Sequence, residues 1–176
     1  MFTTRIRDSS GYKKAFGTLK IGAEIEIEGP NGTFILDENE PGPHIFITGG
    51  IGITPIRSFL KYKIDKKLPY RAHLIYSNST PEEITFRSEL QSFAKTDKKI
   101  KIDITISQPN KTGNKWTGLT GRVDEILLKK LITPQDLLSA TYWLCGPAAM
   151  VDAMEDLLLK LDIVADNIQT DKFTGY

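Results

Sequence analysis

His44-Ile45-Phe46-Ile47-Thr48-Gly49-Gly50-Ile51-Gly52-Ile53-Thr54-Pro55 is the stretch on which the reading of this chain turns. Its apolar start, rich in isoleucine and phenylalanine, has the length and composition of a buried strand. Thr54 is placed to cap a following helix with its hydroxyl. Pro55 suits the first helical position, where a missing N–H costs nothing. The glycines between allow a tight turn and a close approach by a ligand. Strand, glycine turn and helix start together present amide donors and a positive dipole end to an anion, and a nucleotide diphosphate is the obvious one. Packing alone also produces such turns. The spacing departs from the dinucleotide fingerprint G-x-G-x-x-G, because Thr54 stands at its sixth position. No acidic residue closes the next strand to grip a ribose. A different nucleotide-binding family is therefore indicated.

From His44 onward strand and helix patterns alternate. The first helix is expected over about Thr54–Lys63 and the second strand over Tyr70–Tyr76. Thr80-Pro81-Glu82-Glu83 reads as a capping box opening a helix that carries Ile84, Leu90 and Phe93. Ile100–Ile106 alternates as a third strand, and Ser107–Thr120 is a polar loop around Trp116. Helices follow over Val123–Leu131 and from Thr133-Pro134, then a strand over Thr141–Cys145. A long helix over Pro147–Leu161 and a last strand over Ile168–Phe173 complete the pattern. Alternation of this kind implies a parallel sheet flanked by helices, with ligands beyond the carboxyl ends of the strands. Gly49–Thr54, Ser77-Asn78 and Cys145-Gly146-Pro147 would gather there. Residues 1–40 differ in texture. Ala23–Glu28 alternates strictly and Thr33–Leu36 returns after a Gly29–Gly32 turn, so both read as antiparallel strands. Phe2–Arg7 is a further candidate strand, and Ser9 or Ser10 can cap a short helix over Tyr12–Phe16. Such a segment resembles the tail of a β-barrel whose first strands are missing, with Glu38–Pro43 as linker.

Composition narrows the function classes. In 176 residues, 40% are hydrophobic and 26% charged, with a formal net charge of +1, so nothing argues for nucleic acid or an acidic membrane as partner. The single cysteine excludes an internal disulfide and points to a reducing compartment, hence a cytoplasmic location. No apolar run is long enough to span a bilayer. His44 and His73 form no cluster with metal-ligand spacing, and neither an iron–sulfur cysteine set nor a lysine-bearing phosphate loop occurs. The lysine runs at Lys61–Lys67 and Lys98–Lys101 read as solvated faces.

Gly49-Gly50-Ile51-Gly52-Ile53-Thr54-Pro55, followed by Cys145-Gly146-Pro147-Ala148-Ala149-Met150 and a terminal Phe173-Thr174-Gly175-Tyr176, resembles the ferredoxin-NADP reductase family. Arg7-Asp8-Ser9, Glu28-Gly29-Pro30-x-Gly32-x-Phe34 and Gly121-Arg122 fit the same family. The closest likeness is to bacterial FAD-dependent oxidoreductases that take electrons from a nicotinamide nucleotide. The resemblance implies a partial FAD-binding barrel over residues 1–40 and an NAD(P)-binding domain over residues 41–176. It implies that Gly49, Gly50 and Gly52 carry the dinucleotide diphosphate, with Thr54 and Pro55 opening the helix. Cys145 would lie beside the nicotinamide, helped by Gly146 and Pro147, and Phe173 or Tyr176 would cover the flavin ring. Arg7, Ser9 and Ser10 would bind the FAD diphosphate, and Asp171 is either a proton source or a surface carboxylate. The family's isoalloxazine motif, Arg-x-Tyr-Ser, is absent from this chain. After the second strand stands Ser77-Asn78-Ser79-Thr80, without the basic side chains that a 2′-phosphate needs, so NADH is slightly favoured over NADPH. Arg87 is the residue that would speak for NADPH.

Three functions follow from the resemblance. The chain is an oxidoreductase passing hydride from NAD(P)H to FAD and electrons onward to a redox partner or small acceptor; or a non-catalytic nucleotide-binding remnant; or the NAD(P)-binding subunit of a split flavin reductase completed by another chain. Gly52→Val is expected to abolish nucleotide binding while leaving the sheet folded, by filling the space the diphosphate needs.

Overall fold

The structure, a computed structural model, describes residues 4, 10–29, 31–111, 113 and 115–173. Contacts divide the chain into two units, Met1–Ile35 and Leu36–Tyr176.

The second unit holds a six-stranded sheet, parallel throughout: β1 (His44–Gly49), β2 (Ala72–Asn78), β3 (Ile100–Ile106), β4 (Leu119–Thr120), β5 (Thr141–Pro147) and β6 (Ile168–Phe173). The strand order is β4-β3-β2-β1-β5-β6. The chain thus builds outward from β1 in one direction and returns to build from its other side, which makes β1/β5 the switch point of the sheet. Every residue of β1 is buried, as expected of a central parallel strand covered on both faces. Its side chains alternate between two cores. Ile45 and Ile47 join Tyr142, Leu144, Leu127, Leu128, Val151 and Leu158, which brings in α4 (Glu125–Leu131), α5 (Pro134–Ser139) and α6 (Ala148–Lys160). Phe46 faces the other way, 6.2 Å from the ring of Phe59 on α2 (Ile53–Lys66). Leu90 and Phe93 of α3 (Arg87–Thr96) are buried as well. Each fully buried aliphatic side chain contributes about 1.5–3 kcal/mol, so these two layers dominate the stability of the unit.

Local starts differ from expectation in instructive ways. α2 begins after a single 3-10 turn at Gly50–Gly52, so Pro55 is its third residue rather than its first. The Thr54 hydroxyl does not cap; it donates back to the Ile51 carbonyl at 2.8 Å. Thr80-Pro81-Glu82-Glu83 makes only a 3-10 turn over Pro81–Glu83, without a side-chain bond from Thr80. Glu83 reaches one residue further back than a capping box requires, accepting from the Ser79 N–H at 3.3 Å. The chain then passes through Phe86 at φ 60 before α3 begins at Arg87. Ile84 is buried, and its anchoring in the core takes precedence over continuing a helix. The expected polar loop around Trp116 ends in β4, which pairs with the end of β3.

In the first unit, α1 spans Gly11–Gly17, and Ser10 caps it by accepting from the Lys13 N–H at 3.3 Å. The two antiparallel strands expected over Ala23–Glu28 and Thr33–Leu36 are not formed, and no strand occurs among the described residues before His44. A strand needs a partner ladder, and alternation alone supplies none. Among the described residues this stretch forms no β-ladder of its own. The candidate strand Phe2–Arg7, and with it Arg7 and Ser9, lies outside them.

Candidate functional site

Register places the candidate residues on one edge. Gly49 pairs with Ser77, Thr48 with Cys145, and Pro147 with Phe173, so Ser77, Gly49, Cys145 and Phe173 all stand at the carboxyl ends of adjacent strands. The Thr48 hydroxyl donates to the Cys145 carbonyl at 2.8 Å and ties β1 to β5 at this edge.

Two helices start here, α2 after β1 and α6 after β5. Neither has a side-chain cap, and neither carries an acid in its first turn. With 14 and 13 residues they are long enough for their amino ends to carry a substantial positive partial charge. Of the helices that start away from the switch point, α3 has no side-chain cap but carries Glu89 in its first turn, and α4 and α5 are capped. Asp124 accepts from the Leu127 N–H to cap α4, and Thr133 accepts from the Asp136 N–H to cap α5. The ends of β1 and β5 thus meet two helix starts without capping side chains or first-turn acids, a setting that favours an anion, with the Ile53 N–H already given to the Gly50 and Ile51 carbonyls and the Asp171 carboxylate on the neighbouring strand.

The three glycines of the turn have three different reasons to be glycine. A Cβ on Gly49 would sit 2.5 Å from Met150 Sδ. A Cβ on Gly52 would fall on the Cys145 carbonyl and lie 2.7 Å from the Gly146 Cα. Gly52 therefore serves the packing of α2 against the end of β5, and the expectation that Gly52→Val would spare the fold is overturned: the space it would fill is already occupied by protein backbone. Gly50, at φ +54, has nothing within 4 Å of the position of a Cβ. It is the glycine that faces open space.

Cys145 is fully buried, and its thiol reaches Asp171 Oδ2 at 3.8 Å. Burial, reinforced by the Asp171 carboxylate, pushes the thiol pKa up, so it stays protonated and is no nucleophile. Gly146, at φ +148, packs against Gly49 and Met150, and Pro147 is exposed at the start of α6. Phe173 is half-buried at the end of β6. Ser77 is half-buried, whereas Asn78 is only 4% exposed, and neither polar atom of its amide has a hydrogen-bond partner. Orphaned buried amides are costly and rare. Arg87 lies over the Trp116 ring at 5.3 Å, and Trp116 is held by donating to the Leu119 carbonyl at 2.7 Å. Ser10 spends its hydroxyl oxygen on the cap of α1. Tyr176 lies outside the described residues. Two contacts go beyond the sequence reading: Met150, there only a member of the Cys145–Met150 motif, fills the gap left by Gly49, and the Tyr76 hydroxyl donates to the Gly50 carbonyl. A tyrosine at the end of a buried strand is a signal for the second, because its hydroxyl must find a partner. No metal-binding group of His, Cys, Asp and Glu occurs among the described residues, and no helix there is long and apolar enough to cross a membrane.

A parallel sheet reversing at β1/β5, with a glycine turn and two bare helix starts at that point, defines an α/β nucleotide-binding domain. The chain belongs to the oxidoreductase NAD-binding domain family, whose model matches residues 46–156. It is 29% identical over 158 residues to a flavohemoprotein of Oceanobacillus iheyensis, covering 89% of this chain and 37% of that protein. A crystal structure of flavohemoglobin from Malassezia yamatoensis with bound FAD and heme superposes with a TM-score of 0.79 at 25% identity, over 97% of this chain and 43% of the other. The CS-b5R domains of human Ncb5or in the NAD+ form share the fold, with a TM-score of 0.82 at 23% identity over 95% of this chain and 47% of that one. The chain thus spans less than half the length of these relatives. The likeness places it in the ferredoxin reductase group anticipated from its motifs.

Proposed function

We propose that this chain is the nicotinamide-binding part of an FAD-dependent NAD(P)H oxidoreductase. The observation that carries the reading is the contrast in helix starts: α2 and α6 are left uncapped and free of acids at the switch point, while α4 and α5 are capped. The dinucleotide diphosphate lies over the Gly49–Thr54 turn, on the open side of Gly50, between the two helix ends. Ser77 and Asn78 take the adenosine ribose, and the Asn78 amide gains the partners it lacks. Both side chains are uncharged, which favours NADH; Arg87, held on Trp116, is the group that a 2′-phosphate would recruit. Cys145, Gly146 and Pro147 line the nicotinamide end. When bound, FAD would supply the flavin chemistry that links the nicotinamide's hydride to a partner protein or small acceptor. Arg7, Ser9 and Ser10 serve its diphosphate, and residues 1–40 form one piece of its barrel, with residues 41–176 as the NAD(P)-binding domain.

A second reading is supported by the first unit. Ile25, Ile27 and Ile35 are 51%, 78% and 72% exposed, in a stretch that alternates like a strand and has no ladder. Such a segment suits completion by strands outside this sequence, as in the split-reductase reading. One experiment separates the possibilities. Absorbance after mild purification, followed by NADH titration, should reveal a flavin spectrum bleached by NADH. A colourless protein that binds NADH would be a nucleotide-binding module. Colour gained only on adding a second polypeptide would select the split reductase. Absence of NADH binding in every case would refute the proposal.

A further inference from the structure

We infer that the Tyr76 hydroxyl is the positioning group of the site, fixing which way the peptide that faces the diphosphate points; this rests on the nucleotide site proposed above. The Tyr76 side chain is fully buried on β2, and its hydroxyl donates to the Gly50 carbonyl at 3.0 Å. The same oxygen accepts from the Thr85 N–H at 3.3 Å. The Gly50 carbonyl also accepts from the Ile53 N–H. Two donors, one from the sheet and one from the helix start, hold this carbonyl inward. A trans peptide is planar, with its C=O and N–H antiparallel. A Gly50 carbonyl held by these two donors therefore turns the Ile51 N–H the opposite way.

A flip of the Gly50–Ile51 peptide would rotate ψ of Gly50, which glycine tolerates, and drive φ of Ile51 to positive values, which a β-branched residue resists, so the Tyr76 bond and Ile51 act together in holding the orientation. A flipped peptide would present a carbonyl oxygen, a partial negative charge, to the diphosphate. Among the described residues the hydroxyl of Tyr76 is the side-chain donor to that carbonyl, and it links the turn to the segment after β2 through Thr85. One oxygen thus couples the two stretches that hold the two halves of the dinucleotide. Tyr76 touches no ligand in this account. It sets the aim of an amide that does.

The test is NADH titration, read by nicotinamide fluorescence, of the unaltered chain, Tyr76→Phe and Tyr142→Phe. Tyr142 is a matched control: fully buried, with its hydroxyl donating to the Leu137 carbonyl at 2.7 Å, away from the crevice. Both variants should lose similar thermal stability. Tyr76→Phe should bind NADH at least about five-fold more weakly, the worth of one hydrogen bond, while Tyr142→Phe stays within about two-fold of the unaltered chain. Equal losses in both variants, or none in Tyr76→Phe, would overturn the inference while leaving the nucleotide site standing. No binding by the unaltered chain would remove both. Should Tyr76→Phe fail to fold, amide NMR of the unaltered chain decides: NADH should move the Ile51 N–H resonance more than amides at the amino ends of the strands, and an unmoved Ile51 resonance sinks the idea.

Discussion

The two ends of the sheet in the second unit are built on opposite rules. At the carboxyl edge the helix starts carry no acids or caps, the Asn78 amide is unpaired, and Gly50 faces open space. At the amino edge charge is present and paired. The buried Lys63 ammonium donates to Asp97 Oδ2 at 2.5 Å and to the Leu68 carbonyl at 2.9 Å. Arg71 holds Asp136 through two bonds of 2.6 and 2.9 Å, and His73 meets Asp103 at 2.8 Å. Burial alone would raise the Asp103 pKa; hydrogen bonds from His73 and Lys101 override it and hold the carboxyl below its usual range. The lysine runs of the sequence collect here because helices end here, and Lys63, Lys66, Lys129 and Lys130 complement the negative ends of α2 and α4. Orphaned polar atoms occur at both edges, since His44 Nε2 and the Tyr70 hydroxyl at the amino edge are also buried without a hydrogen-bond partner; what sets the carboxyl edge apart is the pair of uncapped, acid-free helix starts beside the open Gly50.

The strongest challenge to this division comes from a residue that lies at the carboxyl edge and yet belongs to the fold. Gly52→Val should unfold or severely destabilise the chain, by about 3 kcal/mol or more, because its Cβ has backbone rather than ligand in front of it. A denaturant midpoint unchanged from the unaltered chain would show that the end of β5 yields and that the space belongs to the ligand after all. Next in size is Lys63→Met at the other edge. It leaves Asp97 without its ammonium partner and the Leu68 carbonyl without a donor, at a cost of about 2–4 kcal/mol. NADH affinity should not move. A parallel loss of affinity would mean that the two edges are coupled.

The elements that were legible in the sequence are those whose signal is local and repeated. β1, β3 and β6, the caps at Ser10 and Thr133, and the long α6 follow directly from periodicity and capping chemistry. Ala23–Glu28 misled because alternation reports a half-buried face only when a neighbouring strand exists. Thr80–Glu83 misled because burial of Ile84 outweighs a cap. The glycine turn was legible as a turn, but not the division of labour within it. Gly52 answers to Cys145 and Gly146, and Gly49 to Met150, contacts across nearly a hundred positions of sequence that no local pattern encodes. One informative signal lay in what the sequence lacks: no Asp or Glu in the first turns of α2 and α6, against Asp124, Glu125 and Asp136 in α4 and α5.

Gly50→Ala sharpens the comparison from the ligand's side. A non-glycine residue at φ +54 costs about 1–2 kcal/mol of stability, and the methyl itself meets no atom within 4 Å beyond its own turn. The chain should stay folded while NADH affinity falls by about ten-fold or more, a loss of roughly 1.4 kcal/mol in binding. Affinity that survives the methyl would move the diphosphate away from Gly50.

The smallest effect concerns pH and falls at the amino edge. His44 is fully buried, with Trp143 Nε1 donating to its Nδ1 at 3.2 Å and Tyr70 edge-on to its ring at 4.6 Å. Burial lowers its pKa below the ordinary 6.5, against the opposing pull of Glu40. The folded state therefore binds fewer protons than the unfolded state between the folded value and 6.5, and stability must rise with pH across that window. Acidification below 6.5 should erode stability until the folded pKa is passed, with a slope from one group of at most about 1.4 kcal/mol per pH unit. His44→Gln cannot titrate, and its side-chain oxygen can still accept from Trp143. The difference between the two unfolding curves should narrow from pH 8 to pH 5, by at most about 2 kcal/mol. A difference that stays constant would mean His44 takes up its proton inside the fold, and the amino edge would then hold an unpaired charge of just the kind its other residues are arranged to avoid.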